Sequence, residues 1–229
     1  MSVLNCSYSG YLLAHFIGEQ PDGEQVYFSY SEDGLHWKDL NAGLPVLRSE
    51  LGEKGVRDPF LVRSPKEDKF YLIATDLRIA NGKGWSAASN AGSRDVIIWE
   101  SADLVHWSSP WAVTLGVPGA GCVWAPEAIY DEAADDFLVF WASATQEPQE
   151  NERKQKIYSA RTRDFRSFTA PEKYIERENH IMIPRSLPTT VPTTVFPRTR
   201  RLRISGSKKA HHWKKTHLPI CTFRFWRNC

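Results

Sequence analysis

The chain has 229 residues, of which 41% are hydrophobic and 24% charged, with nine Trp, eight Tyr and eleven Phe. That apolar content suffices for a packed core and excludes a globally disordered chain, and the length allows one large domain or two small ones. The formal net charge of +2 conceals an asymmetry, because 11 of the 29 Lys and Arg follow Ile181 and no Asp or Glu follows Glu178. The first 181 residues therefore hold 29 less 11, or 18, basic residues against all 27 acidic ones, a balance of −9. The body is acidic, and the basic excess belongs to the last 48 residues.

The opening MSVLNCSYSGYLLAHF lacks a charged leading region, a long apolar core and a small-residue cleavage site, so no signal peptide is expected and the compartment stays open. No run of 18 apolar residues occurs, and no membrane partner is expected. The four cysteines, Cys6, Cys122, Cys221 and Cys229, have spacings that support neither a zinc site nor a disulfide framework, and no cofactor is expected.

Along the chain, GYLLAHFI (10–17) reads as a strand, and YFSYSEDGLHW (27–37) as a strand, a turn and the start of another. VRDPF (56–60) then precedes the strand DKFYLIAT (68–75), followed by IIWESADLVHW (97–107). CVWAPEAIYD (122–131) precedes DDFLVFWAS (135–143), followed by IYSARTRDFRSF (157–168). Three of these stretches share a strand, an Asp and an aromatic four residues later: Asp33/Trp37, Asp103/Trp107 and Asp164/Phe168. The Asp suits a turn, where its carboxylate accepts from the backbone, and the aromatic suits packing between sheets. Repeated antiparallel units with aromatic markers predict an all-β fold of propeller type; an ordinary β-sandwich is the alternative.

VRDPF and CVWAPEAIYD each put a carboxylate beside a proline, at what read as equivalent places in successive units. On the inner strands of a propeller, Asp58 and Glu127 would face one central pocket, with Trp124 free to stack on an apolar sugar face. The plainer reading is that Asp-Pro is a common turn dipeptide and that an acid before a strand often caps or pairs.

The order RDPF, KFYLIATDL, VIIWESADLVHWS and VWAPEAIYD resembles glycoside hydrolase family 43, over roughly residues 8–178. The resemblance implies a five-bladed β-propeller, of which about three blades are covered here, and hydrolysis of arabinose- or xylose-containing glycans with inversion. It places Asp58 as the general base and Glu127 as a supporting, substrate-contacting acid beside Trp124. Arg57, Asp76, Ser93 and Arg94 are further pocket candidates, although Arg57 and Arg94 can equally be exposed or paired. The family's proton-donating Glu and its pKa-tuning Asp fall after the WAPE segment. This sequence has no counterpart for either, so inactivity is expected, with a carbohydrate-binding pseudoenzyme as the alternative and a ligand-free structural repeat as a third reading.

The expected division is a partial propeller over residues 1–181 and a disordered, non-native basic tail over 182–229. One permitted set of codons for SLPTTVPTTVFPRTRRLRI, read one base earlier, gives IVTDDGTYYRFSKDETTKN, a strand, an Asp-Gly turn and a second strand. A base lost near Met182 would thus make the tail an out-of-frame translation. The rival is a nucleic-acid-binding arm built on RTRRLR (198–203) and KKAHHWKK (208–215), but no nucleic-acid partner is expected and a carbohydrate is. Resequencing the gene through the Met182 codon should reveal the missing base; an intact frame in independent reads refutes the frame shift.

Overall fold

The structure is a computed structural model that describes residues 8–65, 69–177 and 221–226; the remainder of the 182–229 tail lies outside the described residues. The chain divides into two units, 1–183 with 218–229 and 184–217, and only the first contains described residues.

Twelve strands form three four-stranded antiparallel sheets. The first contains β1 (Tyr8–His15), β2 (Tyr27–Ser31), β3 (Lys38–Asp39) and, from the far end of the chain, β12 (Cys221–Trp226), in the order β12-β1-β2-β3. The second follows chain order: β4 (Val56–Ser64), β5 (Lys69–Asp76), β6 (Asp95–Ser101) and β7 (Trp111–Thr114). The third comprises β8 (Trp124–Asp131), β9 (Asp136–Thr145), β10 (Lys154–Thr162) and β11 (Glu172–Ile175), again in chain order. One short helix, α1 (Trp85–Ala91), sits between β5 and β6. The architecture is a partial β-propeller of three blades, as the sequence repeat predicts. Among the described residues, the tail enters it at β12, which pairs with β1 in the position that β4 and β8 hold in their own sheets.

The sheets stack because their central strands are apolar on both faces. In β5 and β6, Leu72, Ala74, Ile97 and Trp99 join one core with Leu12, Ala14, Val26 and Phe28 of the first sheet. The alternate residues Tyr71, Ile73, Val96 and Ile98 join a second core with Val139, Trp141, Tyr158 and Phe165 of the third. A period of two sends successive side chains to opposite faces, so one continuous apolar run serves two cores.

The repeated aspartates build the same turn three times. Ser31 Oγ donates to Asp33 Oδ1 and accepts the Gly34 N–H, while Asp33 Oδ1 accepts the N–H groups of Leu35 and His36 at 2.8 Å each. Ser101 and Asp103 repeat the pattern on residues 104–106, and Thr162 and Asp164 repeat it on residues 165–167. The residue after each Asp has positive φ: Gly34 at 75°, Leu104 at 65° and Phe165 at 54°. The His36 side chain and two backbone N–H groups hold the Asp33 carboxyl well below its usual range, and the His106 side chain does the same for Asp103. Two of the three aromatics pack between sheets as expected: Trp107 lies 5.9 Å from Phe28, centroid to centroid, and Phe168 packs on the second core, while Trp37 is half-buried and joins neither core.

Trp99 and Ile98 point to different cores and are 1% and 0% exposed. Trp99→Ala should cost about 3–5 kcal/mol and Ile98→Ala about 2–5 kcal/mol, read as lower urea midpoints at an unchanged denaturant slope.

Candidate active site

The inner strands β4 and β8 both carry a β-bulge at their proline. In β4 the register with β5 shifts between Arg57, opposite Thr75, and Phe60, opposite Ile73. In β8 the register with β9 shifts between Trp124, opposite Ala142, and Glu127, opposite Phe140. Both bulges hold a residue at φ 49°: Asp58 before Pro59 in β4, and Ala125 before Pro126 in β8. Aligning the two bulges pairs Arg57 with Trp124, Asp58 with Ala125, and Phe60 with Glu127. The sequence expectation that Asp58 and Glu127 hold equivalent places is therefore corrected: one carboxylate precedes its proline and the other follows it.

The two bulges are tied through one hydroxyl. Thr75 is 0% exposed at the end of β5. Its Oγ1 accepts the Ala125 N–H at 2.8 Å and its hydroxyl hydrogen-bonds the Asp58 carboxylate. A left-handed backbone is strained for most residues, though Asp tolerates it better than most. Burial pushes the Asp58 carboxyl up to about 6, and the nearby Arg57 charge and the Thr75 hydrogen bond oppose that shift only in part. The group thus changes charge near neutral pH, as an acid–base group in a cleft does.

Arg57 is 7% exposed and is held from several sides. Its Nη1 donates to Glu24 Oε1 at 2.8 Å and lies 3.5 Å from Glu19 Oε1. Its guanidinium stacks 4.6 Å from the Phe16 ring centre and 4.7 Å from that of Trp85. Buried Glu24 also accepts the Ile79 and Ala80 N–H groups at 2.9 and 2.8 Å. The pair therefore pins the loop after β5 to the loop before β2, and each charge has the partner that burial demands. The Trp124 ring stands at 89° to that of Trp85 with centroids 6.0 Å apart, and packs on Leu77, Ile79 and Ala88.

The sequence candidates separate into two groups. Asp58, Arg57 and Trp124 come together at the paired bulges, while half-buried Glu127 lies farther along β8. Asp76 and Ser93 form a second group. Asp76 Oδ1 accepts the Glu53 N–H at 2.8 Å, Ser93 hydrogen-bonds its carboxylate, and burial raises its pKa against those two bonds. Gly52, at φ 50°, lies so close that a Cβ there would meet Asp76 Oδ2 at 2.0 Å. The Arg94 side chain is exposed beside Gly116. Sequence reading missed Thr75, Glu24 and Trp85. No motif marks them, since each acquires its role from a partner distant in the chain. Among the described residues, no group of three or more His, Cys, Asp and Glu is placed to hold a metal.

Residues 7–203 match the family described as "Probable glycosyl hydrolase domain", related to glycoside hydrolase family 43. The match covers most of the chain, and the chain belongs to this family. An α-L-arabinofuranosidase of Bifidobacterium longum subsp. longum is 33% identical over 184 residues, covering 72% of this chain. The chain spans only 17% of that relative's length. Among solved structures, a glycoside hydrolase aligns with a TM-score of 0.50 at 11% identity, over 79% of this chain and 62% of its own, which bears on the fold alone. The family 93 α-L-arabinofuranosidase of Fusarium graminearum, solved with arabinobiose, aligns with a TM-score of 0.43 at 14% identity, over 76% and 44%.

The raised Asp58 pKa carries a stability consequence. The native state holds this proton more tightly than the unfolded chain, so the group costs stability as pH rises through about 6. Asp58→Asn should stabilise the fold at pH 8 by something on the order of 2 kcal/mol and converge with the parent below pH 4, read from urea midpoints at both pH values.

Proposed function

We propose that this chain carries the general-base half of an inverting glycoside hydrolase acting on arabinose- or xylose-containing glycans. The observation that carries this reading is Asp58. It is a carboxyl on a strained inner-strand bulge, oriented by Thr75 and pushed up to about 6, in a chain from a glycosyl hydrolase family. The arabinofuranosidase relative supports the choice of sugar.

The ionised Asp58 takes a proton from water, and the water oxygen bonds to the anomeric carbon from the face opposite the leaving group. The glycosidic C–O bond breaks as a second carboxylic acid protonates the departing oxygen, and the configuration inverts. Glu127 serves as a supporting contact, and Trp124 stacks on the sugar. Asp76, Ser93 and Arg94 would act from the pocket edge. A base with a pKa near 6 is ionised at neutral pH and still basic enough to work.

No Asp or Glu follows Glu178, so a proton donor from a later segment is missing from this sequence. That observation favours a second reading for the chain as written, a carbohydrate-binding pseudoenzyme that holds sugar without turnover. A frame correction near Met182 would restore the downstream acids.

Aryl α-L-arabinofuranosides and β-D-xylosides test both readings. The chain as written should show no turnover. The frame-corrected chain should hydrolyse one of them, with an acid limb of kcat/KM near pH 6 and a loss of about 10²–10⁴ on Asp58→Asn. Turnover by the uncorrected chain that Asp58→Asn abolishes refutes the inactivity; a corrected chain indifferent to Asp58→Asn refutes the assignment of the base.

A further inference from the structure

Trp85 is 47% exposed, an unusual degree of exposure for an indole whose surroundings are tightly packed. One side of the ring carries the Arg57 guanidinium at 4.7 Å, and the Trp124 ring stands at right angles beside it. The segment that bears it is fixed at several points. The Ile79 and Ala80 N–H groups bond to Glu24, Lys83 pairs with Glu53, the Gly92 N–H donates to the Gly121 carbonyl at 2.8 Å, and Ala88 is fully buried. Leu77, Ile79 and Ala88 are covered in the same segment while the indole is left in contact with solvent. A rigid aromatic ring loses little conformational freedom on binding, so its exposed face is preorganised for a flat apolar ligand.

We propose that the exposed face of Trp85 is a stacking platform for a second pentose ring, adjoining the ring held at Trp124 and Asp58. This rests on the carbohydrate reading above. The chemistry fits a neutral sugar, whose apolar C–H face matches indole and whose hydroxyls remain in water. Trp124 is half-buried on a strand at the bulge, whereas Trp85 opens the short helix α1 and is more exposed.

Calorimetric titration of the full chain with L-arabinose and with arabinotriose tests the proposal. Trp85→Ala should weaken arabinotriose binding about five- to tenfold and leave L-arabinose unchanged, while Trp85→Phe should stay within about threefold of the parent. If the alanine variant fails to fold by circular dichroism, Trp85→Leu, which is apolar but not planar, should show the same selective loss. Parent-like arabinotriose binding by the folded alanine or leucine variant, with Trp124→Ala impaired, overturns the platform and leaves the carbohydrate reading standing. No binding of either sugar by the parent chain overturns both.

Discussion

A sheet that is apolar on both faces cannot stand alone in water. In β5 and β6 each residue step switches the side chain from one core to the other, so the second sheet needs a neighbour on each side. This constraint sets the stacking, and the stacking brings the inner strands β4 and β8 side by side. Once those strands are adjacent, a hydroxyl on β5 can reach a carboxylate on one bulge and an amide on the next. The site is thus a product of sheet packing, built where two irregular strands meet.

The bulges carry the energetic burden of that arrangement. Positive φ at Asp58 and Ala125 is disfavoured, more so for Ala, and a carboxyl held out of water prefers its proton. Nothing about folding requires an acid at Asp58, since the equivalent position in the next sheet is Ala125. A residue that destabilises its own site, when a neutral one serves the same backbone geometry, is the kind of residue on which the proposed chemistry rests. The contrast with Asp33 and Asp103 sharpens the point. Those carboxyls are held low by His and backbone donors, in turns whose geometry depends on them.

Much of the fold was legible because its signals are local. Alternation marked the strands, and the spacing from Asp to aromatic marked turns that close within five residues. Asp58 and Trp124 were legible as motif residues. The one-step offset of Glu127 was not, because a bulge shows only in the register with the partner strand, and the proline hid that two different sides of it were being compared. The sequence leaves Arg57 open between a pocket cation and a paired one, because its partner Glu24 lies 33 residues earlier. Trp85 opens a seven-residue helix just after a Gly-rich loop, a segment too short to show periodicity, and it packs against both Arg57 and Trp124. The tail shows the same limit. Ladder pairing uses main-chain groups, so β12 alongside β1 needs only a short extended segment with alternating bulky residues. Such pairing is indifferent to whether CTFRFW is read in its original frame.

The charges around Asp58 also bear on what the site can hold. The Arg57 charge is matched by Glu24, and Asp76 is bound to a backbone amide and a serine. At the paired bulges, burial pushes the Asp58 carboxyl up to about 6, so its charge changes near neutral pH. A site with its strong cation already paired has little to offer a phosphate or a carboxylate. Beside the paired bulges lie the exposed Trp85 indole and the half-buried Trp124 ring. Those are the means by which a protein holds an uncharged polyol, because ring faces collect the C–H surface while water and peptide groups satisfy the rest. The buried ion pair thus does more than fasten two loops. With the arginine paired to Glu24, burial remains the largest influence on the Asp58 carboxyl, and the Arg57 charge opposes it only in part.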